Sequence, residues 1–337
     1  MPCPTFAIEE TVKEHLVKYR QMGRTGLQVS ELGFGCGSVG GLLIRGDYKD
    51  MVQAVARAVE LGITYFDTAR AYGDGVSETN LGRVLKELQA DVVVGTKVQL
   101  RVHELEDIEQ AVVDSVEGSL QRLQMERIDL IQLHNQIVLD RQPEQAWVTV
   151  EDVQTAIHAF QKLQEQGKIR FWGINGLGDT VALHQAVASG QADTIQCCYN
   201  LLNPSAGQQV PEGFPFQDYE QLIDQAAERQ MGVMAIRVLA AGALSGSAVR
   251  HANAAQNVGP IATSATYAQD VARAENYRWM VKEGHVSSLV EGAVRFALAK
   301  EEVSTALVGF SNLEQLDQAV TYANRGPLPV EMLDRLL

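Results

Sequence analysis

The stretch GITYFDTARAYGDGVSETNLGRVLKEL, residues 62–88, contains one strand pattern followed by one helix pattern. The apolar, β-branched run Thr64–Ala69 predicts a buried strand, and the spacing of apolar residues over Ser77–Leu88 predicts an amphipathic helix. The same unit occurs eight times between Gly26 and the C-terminal region. Because strand and helix alternate strictly, the chain should form a parallel sheet with helices outside it.

The remaining units follow the same pattern. The predicted strands are Val29–Cys36, Thr64–Ala69, Asp91–Val98, Ile128–Asn135, Phe171–Gly176, Thr194–Asn200, Gly232–Ala240 and Ser304–Ser311. The predicted helices are Met51–Leu61, Ser77–Leu88, Ile108–Leu123, Glu151–Gln166, Thr180–Ser189, Tyr219–Arg229, Ser287–Lys300 and Asn312–Tyr322. Eight units favour an α/β fold closed into a (β/α)8 TIM barrel over an open doubly wound sheet.

Three segments lie outside the repeat. Residues 1–18 are interpreted as an N-terminal extension with a short helix over Met1–Lys18, and 19–337 as a single barrel domain. Tyr19–Ser30 reads as a β-hairpin before the first barrel strand. A long loop insertion, about Ala241–Val286, follows the seventh strand on the face that carries substrate loops. Left-handed helix caps are expected at four glycines, Gly62, Gly167, Gly190 and Gly232.

Composition restricts the classes of function. The 337 residues carry a formal charge of −14, which argues against nucleic acid as a partner because such binding needs clustered Lys and Arg. The four cysteines, Cys3, Cys36, Cys197 and Cys198, suggest neither a disulfide framework nor a zinc site. No apolar run is long enough to span a bilayer, and the N-terminus lacks the pattern of a signal peptide. A cytoplasmic protein without membrane contact is expected.

The glycine-rich segment Gly33–Gly41 superficially matches a dinucleotide fingerprint. In a Rossmann turn, a helix follows at once and a strand ending in Asp or Glu follows about twenty residues later. Here Leu42–Asp50 has the composition of a loop, and no such strand follows. We therefore interpret the segment as a strand end and a flexible loop near a ligand.

Three successive predicted strands end in polar residues, namely Asp67, Lys97 and His134, and Tyr72 lies five positions after Asp67. Each residue alone could be structural: Asp67 could cap a turn, Tyr72 could pack in a loop, and Lys97 or His134 could be a hydrogen-bonded core residue. Together they would lie at the carboxyl rim of the barrel, where barrel enzymes keep their chemistry.

These motifs resemble the aldo-keto reductase family. The resemblance rests on the hairpin Tyr19–Ser30, Phe66-Asp67-Thr68-Ala69, Tyr72-Gly73 with Ser77-Glu78, Gly95-Thr96-Lys97 and Leu133-His134, and it extends to Asn324. It implies an NAD(P)-dependent oxidoreductase that reduces aldehydes or ketones, or oxidises sugars or secondary alcohols. The implied catalytic residues are Asp67, Tyr72, Lys97 and His134.

The implied chemistry makes Tyr72 the general acid in reduction and the general base in oxidation. The ammonium of Lys97 is expected to lower the pKa of the phenol from its ordinary value near 10, while Asp67 keeps Lys97 charged. His134 would orient the substrate carbonyl by a hydrogen bond.

The resemblance also implies a nicotinamide site. Asn175 and Gln196 would hold the carboxamide, Ile236 would offer an apolar face, and Arg237 would meet the pyrophosphate, a substrate anion or an acidic neighbour. Residues 308–315 resemble the family's segment for the adenosine 2′-phosphate, but its usual Lys or Arg is replaced by Asn312 and a later Asn by Ala319. These changes weaken the case for NADP(H), which stays the expected cofactor, and leave NAD(H) open. The other implied cofactor contacts are Gly35, Cys36, Leu239, Gly309, Ser311 and Gln315.

Two other functions compete with this one. A regulatory barrel could bind nicotinamide as a redox sensor for a partner protein, and a metal-dependent hydrolase would need more ligands than Asp67 and His134. We therefore predict no metal. The substrate is a small carbonyl compound or alcohol, whose pocket Tyr267, Tyr277, Trp279 and His285 would line unless they only pack the insertion. Composition does not indicate the oligomeric state.

Overall fold

A computed structural model describes residues 16–336, and its main feature is a closed barrel of eight parallel strands. Around the barrel the strand order is β10-β3-β4-β5-β6-β7-β8-β9. The strands are β1 (Tyr19–Gln21), β2 (Gln28–Ser30), β3 (Leu32–Gly35), β4 (Tyr65–Asp67), β5 (Val93–Val98), β6 (Ile128–Leu133), β7 (Ile169–Gly176), β8 (Thr194–Cys198), β9 (Gly232–Ile236) and β10 (Val303–Gly309). The predicted (β/α)8 TIM barrel is confirmed.

Helices connect the barrel strands and pack on their outer surface. They are α1 (Leu42–Arg45), α2 (Tyr48–Glu60), α3 (Val76–Leu88), α4 (Ile108–Leu123), α5 (Val150–Glu165), α6 (Thr180–Ala188), α7 (Leu222–Glu228), α8 (Tyr267–Ala274), α9 (Trp279–Lys282), α10 (Leu289–Ala299), α11 (Leu313–Asn324) and α12 (Val330–Leu336). Short 3₁₀ helices lie at Gly23–Thr25, Val102–Glu106, Ala240–Ser245 and Glu275–Tyr277. No helix in the described range is long and apolar enough to cross a membrane.

The predicted first strand, Val29–Cys36, is divided in two. Gln28–Ser30 pairs antiparallel with Tyr19–Gln21, whereas Leu32–Gly35 joins the barrel in parallel with β4 and β10. The chain changes partners at Glu31, whose N–H donates to the Lys18 carbonyl at 2.8 Å. The predicted hairpin is confirmed, and its second strand ends two residues before the barrel begins.

Other local predictions need correction. Gly232 is not a helix cap: it begins β9 beside Met22, and Gln230 takes the left-handed conformation with φ 57°. The predicted loop Leu42–Asp50 contains one helical turn and the start of α2. Residues 1–15 of the expected N-terminal helix lie outside the described range, and residues 16–18 are not helical.

Side chains inside the barrel form layers because alternate residues of each strand point inward. Near the amino-terminal end, Met22 and Val29 of the hairpin pack in one apolar cluster with Leu130, Met234 and Leu307 from the barrel interior. The hairpin therefore closes this end. The polar side chains of the interior lie toward the other end, in the layers near the carboxyl ends of the strands.

The insertion after β9 covers part of that carboxyl rim. It starts with the 3₁₀ turn at Ala240–Ser245 and ends with α8, the turn at Glu275–Tyr277 and α9. Its middle reaches across to two other loops, since the Ala255 N–H donates to the Val39 carbonyl at 3.2 Å and Asn253 Nδ2 to the Ser311 carbonyl at 3.0 Å. The predicted insertion is thus a cover over one side of the rim.

Candidate active site

Adjacent strands bring the four predicted catalytic side chains together. Asp67 ends β4, Lys97 is the fifth residue of β5, and His134 follows β6 directly. Lys97 is 1% exposed, and its Nζ donates to Asp67 Oδ1 and, at 2.7 Å, to the Thr68 carbonyl. The same nitrogen lies 4.8 Å from the centre of the Tyr72 ring. The carboxylate and the ammonium are therefore buried together, with the half-buried phenol beside them.

Asp67 is held by more than its salt bridge with Lys97. Gln196 Nε2 donates to Asp67 Oδ2 at 2.6 Å, and the Tyr65 hydroxyl donates to the same oxygen at 3.3 Å. Buried carboxylates are stable as anions only where such donors compensate for lost water. The position of Tyr65 depends on Gly95, since a Cβ on Gly95 would overlap the Tyr65 hydroxyl.

The aromatic pair of the site consists of Tyr72 and His134. Their ring centres are 6.0 Å apart and their planes meet at 88°. A carbonyl oxygen placed between an edge-on phenol and an imidazole could accept hydrogen bonds from both. This is the arrangement that polarises a carbonyl and delivers a proton to its oxygen.

The pKa of Tyr72 differs from the sequence-based expectation. Burial raises the pKa and Asp67 raises it further, whereas the charge and hydrogen bond of Lys97, with the charge of Arg237, lower it; the net direction is upward. Loss of hydration thus outweighs the nearby ammonium. Tyr72 is a protonated acid at neutral pH in the free protein, which is the state that carbonyl reduction needs.

Lys97 and His134 carry different charges in this environment. Burial lowers the pKa of Lys97, but attraction to Asp67 and Tyr72 outweighs this effect and raises it, so Lys97 is an ammonium. Burial, with repulsion from Lys97, lowers the pKa of His134 to about 3. His134 is therefore a neutral hydrogen-bonding group, and its buried Nδ1 has no partner within residues 16–336.

The loop that carries Tyr72 is attached to the barrel by the start of α3. The Ser77 N–H donates to the Tyr72 carbonyl at 3.2 Å, and the Ser77 hydroxyl donates to the Cys36 carbonyl at 2.9 Å. Glu78, which is fully buried, accepts hydrogen bonds from Thr96 Oγ1 at 2.5 Å and Arg122 Nε at 2.6 Å. These bonds fix Tyr72 relative to Lys97.

Glu78 and Arg122 were missed as positioning residues in the sequence analysis. The available signal was a carboxylate on the apolar face of a predicted helix, where a buried charge needs a partner. The partner lies 44 residues away in sequence. Local periodicity could not have identified it.

The two predicted carboxamide-binding residues lie next to the catalytic group. Asn175 Nδ2 donates to the His134 carbonyl at 2.9 Å, and Gln196 Nε2 donates to Asp67. Neither side-chain oxygen has a protein donor in the part of the chain that the structure describes. Both oxygens could therefore accept hydrogen bonds from an amide NH₂ group, so these residues fit a nicotinamide carboxamide.

The predicted phosphate-binding residues lie together after β10. Asn312 is the N-cap of α11, with its side chain accepting from the Gln315 N–H at 3.0 Å, and Gln315 Oε1 accepts from the Ser311 N–H at 2.8 Å. The Ser311 hydroxyl donates to the Gly40 carbonyl at 2.7 Å. Free N–H groups at such a helix start favour phosphate. Gly309 is exposed beside this turn.

Gly35 and Cys36 lie on the neighbouring strand. Gly35 is paired with Gly309 and Asp67 in the barrel, so it connects the phosphate end of the site with the catalytic end. The Cys36 thiol is buried and contacts the Phe34 carbonyl at 3.7 Å, and burial raises its pKa far above the ordinary value. Cys36 can therefore contribute backbone groups or packing, but no thiolate.

The end of β9 and the residues after it contain three predicted cofactor contacts, Ile236, Arg237 and Leu239, and all three are half-buried. Ile236 ends β9 and packs beside the interior cluster of the barrel. Arg237 has φ 57°, and its Nη1 donates to the Gly259 carbonyl at 3.1 Å. Among residues 16–336 Arg237 forms no ion pair, so the structure does not show the acidic partner that was one alternative for this residue.

The four residues of the predicted pocket wall divide into two groups. The Tyr277 hydroxyl donates to the Leu201 carbonyl at 2.5 Å, and Trp279 packs against Arg335 with the guanidinium carbon 3.7 Å from its ring centre. His285 contacts Glu283 at 3.3 Å. Tyr277 and Trp279 thus pack the insertion against the fold, His285 contacts a residue within the insertion, and Tyr267 lies under Arg250, beside the rim.

Within residues 16–336, no group of three or more His, Cys, Asp and Glu side chains is arranged to hold a metal ion. The side chains gathered at the rim are instead a phenol, an ammonium, a carboxylate, an imidazole and two amides.

Comparison with known proteins shows the family and the fold of this chain. A sequence model of the aldo/keto reductase family matches residues 31–336. L-galactose dehydrogenase of Arabidopsis thaliana is 28% identical over 312 residues, which cover 90% of this chain and 87% of that protein. Methylglyoxal reductase YeaE of Escherichia coli is 27% identical, covering 85% of this chain and 89% of that protein.

Solved structures show the same architecture. The holo form of aldo-keto reductase AKR11C1 from Bacillus halodurans superimposes with a TM-score of 0.69 at 27% identity, covering 95% of both chains. An aldo-keto reductase from Klebsiella pneumoniae, solved in complex with NADPH, shares the fold with a TM-score of 0.65 at 21% identity, covering 95% of this chain and 94% of that one. The family match over nearly the whole chain and the barrel together establish that this protein belongs to the aldo/keto reductase family, whose members are NAD(P)-dependent oxidoreductases.

Proposed function

We propose that this protein transfers hydride between a nicotinamide cofactor and a small carbonyl compound or alcohol, with Tyr72 as the general acid and base. The observation that carries the proposal is the buried group in which Lys97 lies between Asp67 and the Tyr72 ring. Burying an ammonium costs free energy, and a buried ammonium beside a carboxylate and a phenol is typical of a catalytic site.

In the reduction direction, the substrate oxygen would lie between Tyr72 and His134. Tyr72 donates its proton to that oxygen as negative charge develops, and the positive charge of Lys97 stabilises the resulting phenolate. Neutral His134 donates a hydrogen bond from its ring and orients the carbonyl. A bound nicotinamide supplies the hydride in this direction and accepts it in the reverse one.

NADP(H) is the proposed preferred cofactor. Asn175 and Gln196 would hold the carboxamide through their free oxygens, with Ile236 beside the ring, and Leu239 would contribute its backbone. The turn Gly309–Gln315 and the start of α11 would hold the phosphate end. The first turn of α11 contains Glu314 but no Lys or Arg, which keeps NAD(H) as the alternative.

The experiment is carbonyl-dependent oxidation of NADPH and NADH, followed by absorbance, with Tyr72→Phe as the test variant. Loss of the transferred proton should lower kcat by about 10²–10⁴-fold, while cofactor binding measured by fluorescence is retained. Ser38→Ala, in the neighbouring loop, is the matched control for loss of a hydroxyl. Equal activity of Tyr72→Phe and the unmodified protein would refute the role of Tyr72.

A regulatory barrel is the competing outcome. A Schizosaccharomyces pombe protein named as a putative voltage-gated potassium channel subunit beta is 30% identical over 204 residues, which cover 57% of this chain and 53% of that protein. Tight cofactor binding without turnover on a broad panel of aldehydes and ketones would favour this reading over the enzymatic one.

A further inference from the structure

Arg237 places a cation at the carboxyl rim of the barrel that has no counter-ion in the part of the chain that the structure describes. Within residues 16–336, one of its N–H donors bonds to a protein acceptor, the Gly259 carbonyl at 3.1 Å. In the range 16–336, no carboxylate oxygen lies within the 4.0 Å of an ion pair. Lys97, by contrast, is fully paired with Asp67.

The surroundings of Arg237 are unfavourable to its charge. Burial is the largest effect on the pKa of Arg237 and lowers it; Cys198, Tyr72 and Asp270 raise it and Arg250 lowers it, and the net direction is downward. Such a half-buried guanidinium has lost part of its hydration and has no carboxylate to balance its charge within residues 16–336. Such a group is stabilised when a ligand supplies the missing negative charge.

The backbone holds Arg237 in an uncommon conformation. Its φ is 57°, and its carbonyl accepts hydrogen bonds from Asn200 Nδ2 at 3.0 Å and from the Ala240 N–H at 2.7 Å. Ala240 and Ala241 are left-handed as well. Non-glycine residues in this region are strained, and they cluster where a side chain has to be directed at a ligand.

The charge of Arg237 reaches the reacting end of the site. Its positive charge acts to lower the pKa of Tyr72, the residue proposed to contact the substrate oxygen. Arg250 adds a second positive charge nearby: its side chain donates to the Ala241 carbonyl at 2.7 Å and the Ala255 carbonyl at 2.5 Å and has no acidic partner within residues 16–336. In a chain with a formal charge of −14, this is a local positive region.

We propose that Arg237 binds an anionic group of the substrate, so that the natural substrate is a carbonyl compound, or the corresponding alcohol, bearing a carboxylate or phosphate. This inference rests on the function proposed above. A cofactor diphosphate is the other anion that could use this guanidinium. The substrate is favoured because Arg237 Nη1 bonds to Gly259, in the insertion expected to carry substrate contacts, whereas the residues proposed for the phosphate end of the cofactor lie after β10.

The test compares carbonyl substrates in pairs that differ in charge: 4-carboxybenzaldehyde with methyl 4-formylbenzoate, and glyceraldehyde 3-phosphate with glyceraldehyde. For the unmodified protein we expect kcat/KM to be at least about tenfold higher for the anionic member of one pair. Arg237→Gln should reduce that anionic-to-neutral ratio by about 10–100-fold, and Arg237→Lys by less. Arg83→Gln, on the outer helix α3, is the matched control and should keep the ratio.

Equilibrium binding provides a readout that does not depend on turnover. Isothermal titration with benzoate and with benzamide, on protein saturated with NADP⁺, should show that Arg237→Gln weakens benzoate binding alone. The inference is overturned if the unmodified protein shows no preference for either anion. It is also overturned if Arg237→Gln lowers both members of a pair equally while weakening NADPH and NADH binding, since that result assigns Arg237 to the diphosphate.

Failure of the proposed function gives a different result. In that case neither member of any pair would be turned over, although NADPH binds. The benzoate titration then decides the role of Arg237: retained, Arg237-dependent binding supports an anion site, and Arg237-independent binding rejects it.

Discussion

Gln196 Nε2 donates a 2.6 Å hydrogen bond to Asp67 Oδ2, which connects a residue proposed to bind the cofactor with the carboxylate that holds Lys97. The two residues are 129 positions apart in sequence and lie on strands β8 and β4. The side chain of Gln196 therefore contacts both the proposed cofactor site and the carboxylate that holds Lys97 in place.

This coupling predicts a catalytic effect of Gln196→Met, which keeps the size of the side chain and removes the donor. Loss of a hydrogen bond to a charged group should lower kcat by about 10–100-fold, because Asp67 then holds Lys97 less firmly. Gln132→Met is the control, since Gln132 is equally buried but bonds to Thr194. Steady-state kinetics of both variants checks this; an equal fall in kcat for both would contradict it.

The pH dependence of activity should follow the raised pKa of Tyr72. Reduction requires protonated Tyr72, so its kcat/KM should stay flat through neutral pH and fall only toward or above the ordinary tyrosine pKa of about 10. Oxidation requires the phenolate and should accelerate as pH rises. With a pKa of about 3, His134 should add no break near neutrality. pH–rate profiles in both directions test this, and a break near pH 6.5 in reduction would contradict the assignment of His134 as neutral.

Glu291 should make the free energy of unfolding depend on pH in the acid range. It is 1% exposed; burial raises its pKa, but hydrogen bonds from Ser287 and from Arg325 and Arg295 lower it to about 2. Because this folded value is below the unfolded value of about 4.3, its contribution is complete above that value and is lost as pH falls toward 2.

Glu291→Gln should therefore lower the free energy of unfolding by about 2–3 kcal/mol at pH 7, and the loss should shrink in acid. Urea unfolding between pH 7 and 3 measures both effects. Glu109→Gln, which breaks an exposed pair with Lys162, should leave the midpoint nearly unchanged. If Glu291→Gln also left the midpoint unchanged, the ion pairs of Glu291 with Arg295 and Arg325 would not contribute to stability.

The glycines of the segment 33–41 should differ in their tolerance of substitution. A Cβ on Gly40 would lie 2.5 Å from the Phe310 nitrogen, whereas a Cβ on Gly37 would lie 3.4 Å from the Tyr72 ring, an ordinary contact. Gly40→Ala should therefore destabilise the fold by about 1–3 kcal/mol, and Gly37→Ala should do so far less. Thermal unfolding of the two variants distinguishes them. The reverse order would mean that Gly37, not Gly40, is required by packing.

Helix and strand positions could be predicted to within a few residues where apolar periodicity continues through a whole element, as at Ile108–Leu123. The predicted strand boundaries failed where one continuous run of strand-forming residues pairs with two different strands. Val29–Cys36 reads as one strand because Ser30 and Glu31 do not interrupt it strongly, yet its two halves pair with different strands. The direction of the Tyr72 pKa shift was also wrong, since sequence shows the nearby Lys but not the depth of burial.

By itself, the sequence determined the eight strand–helix units and the polar residues Asp67, Lys97 and His134 at the strand ends, because both follow from local periodicity and from the rule that parallel strands end on one face. The tertiary structure decided the bond from Gln196 to Asp67, the burial that raises the pKa of Tyr72 and, among residues 16–336, the absence of an acidic partner for Arg237. These depend on closure of the barrel, since contact and loss of water are properties of residues brought together from distant positions in the chain.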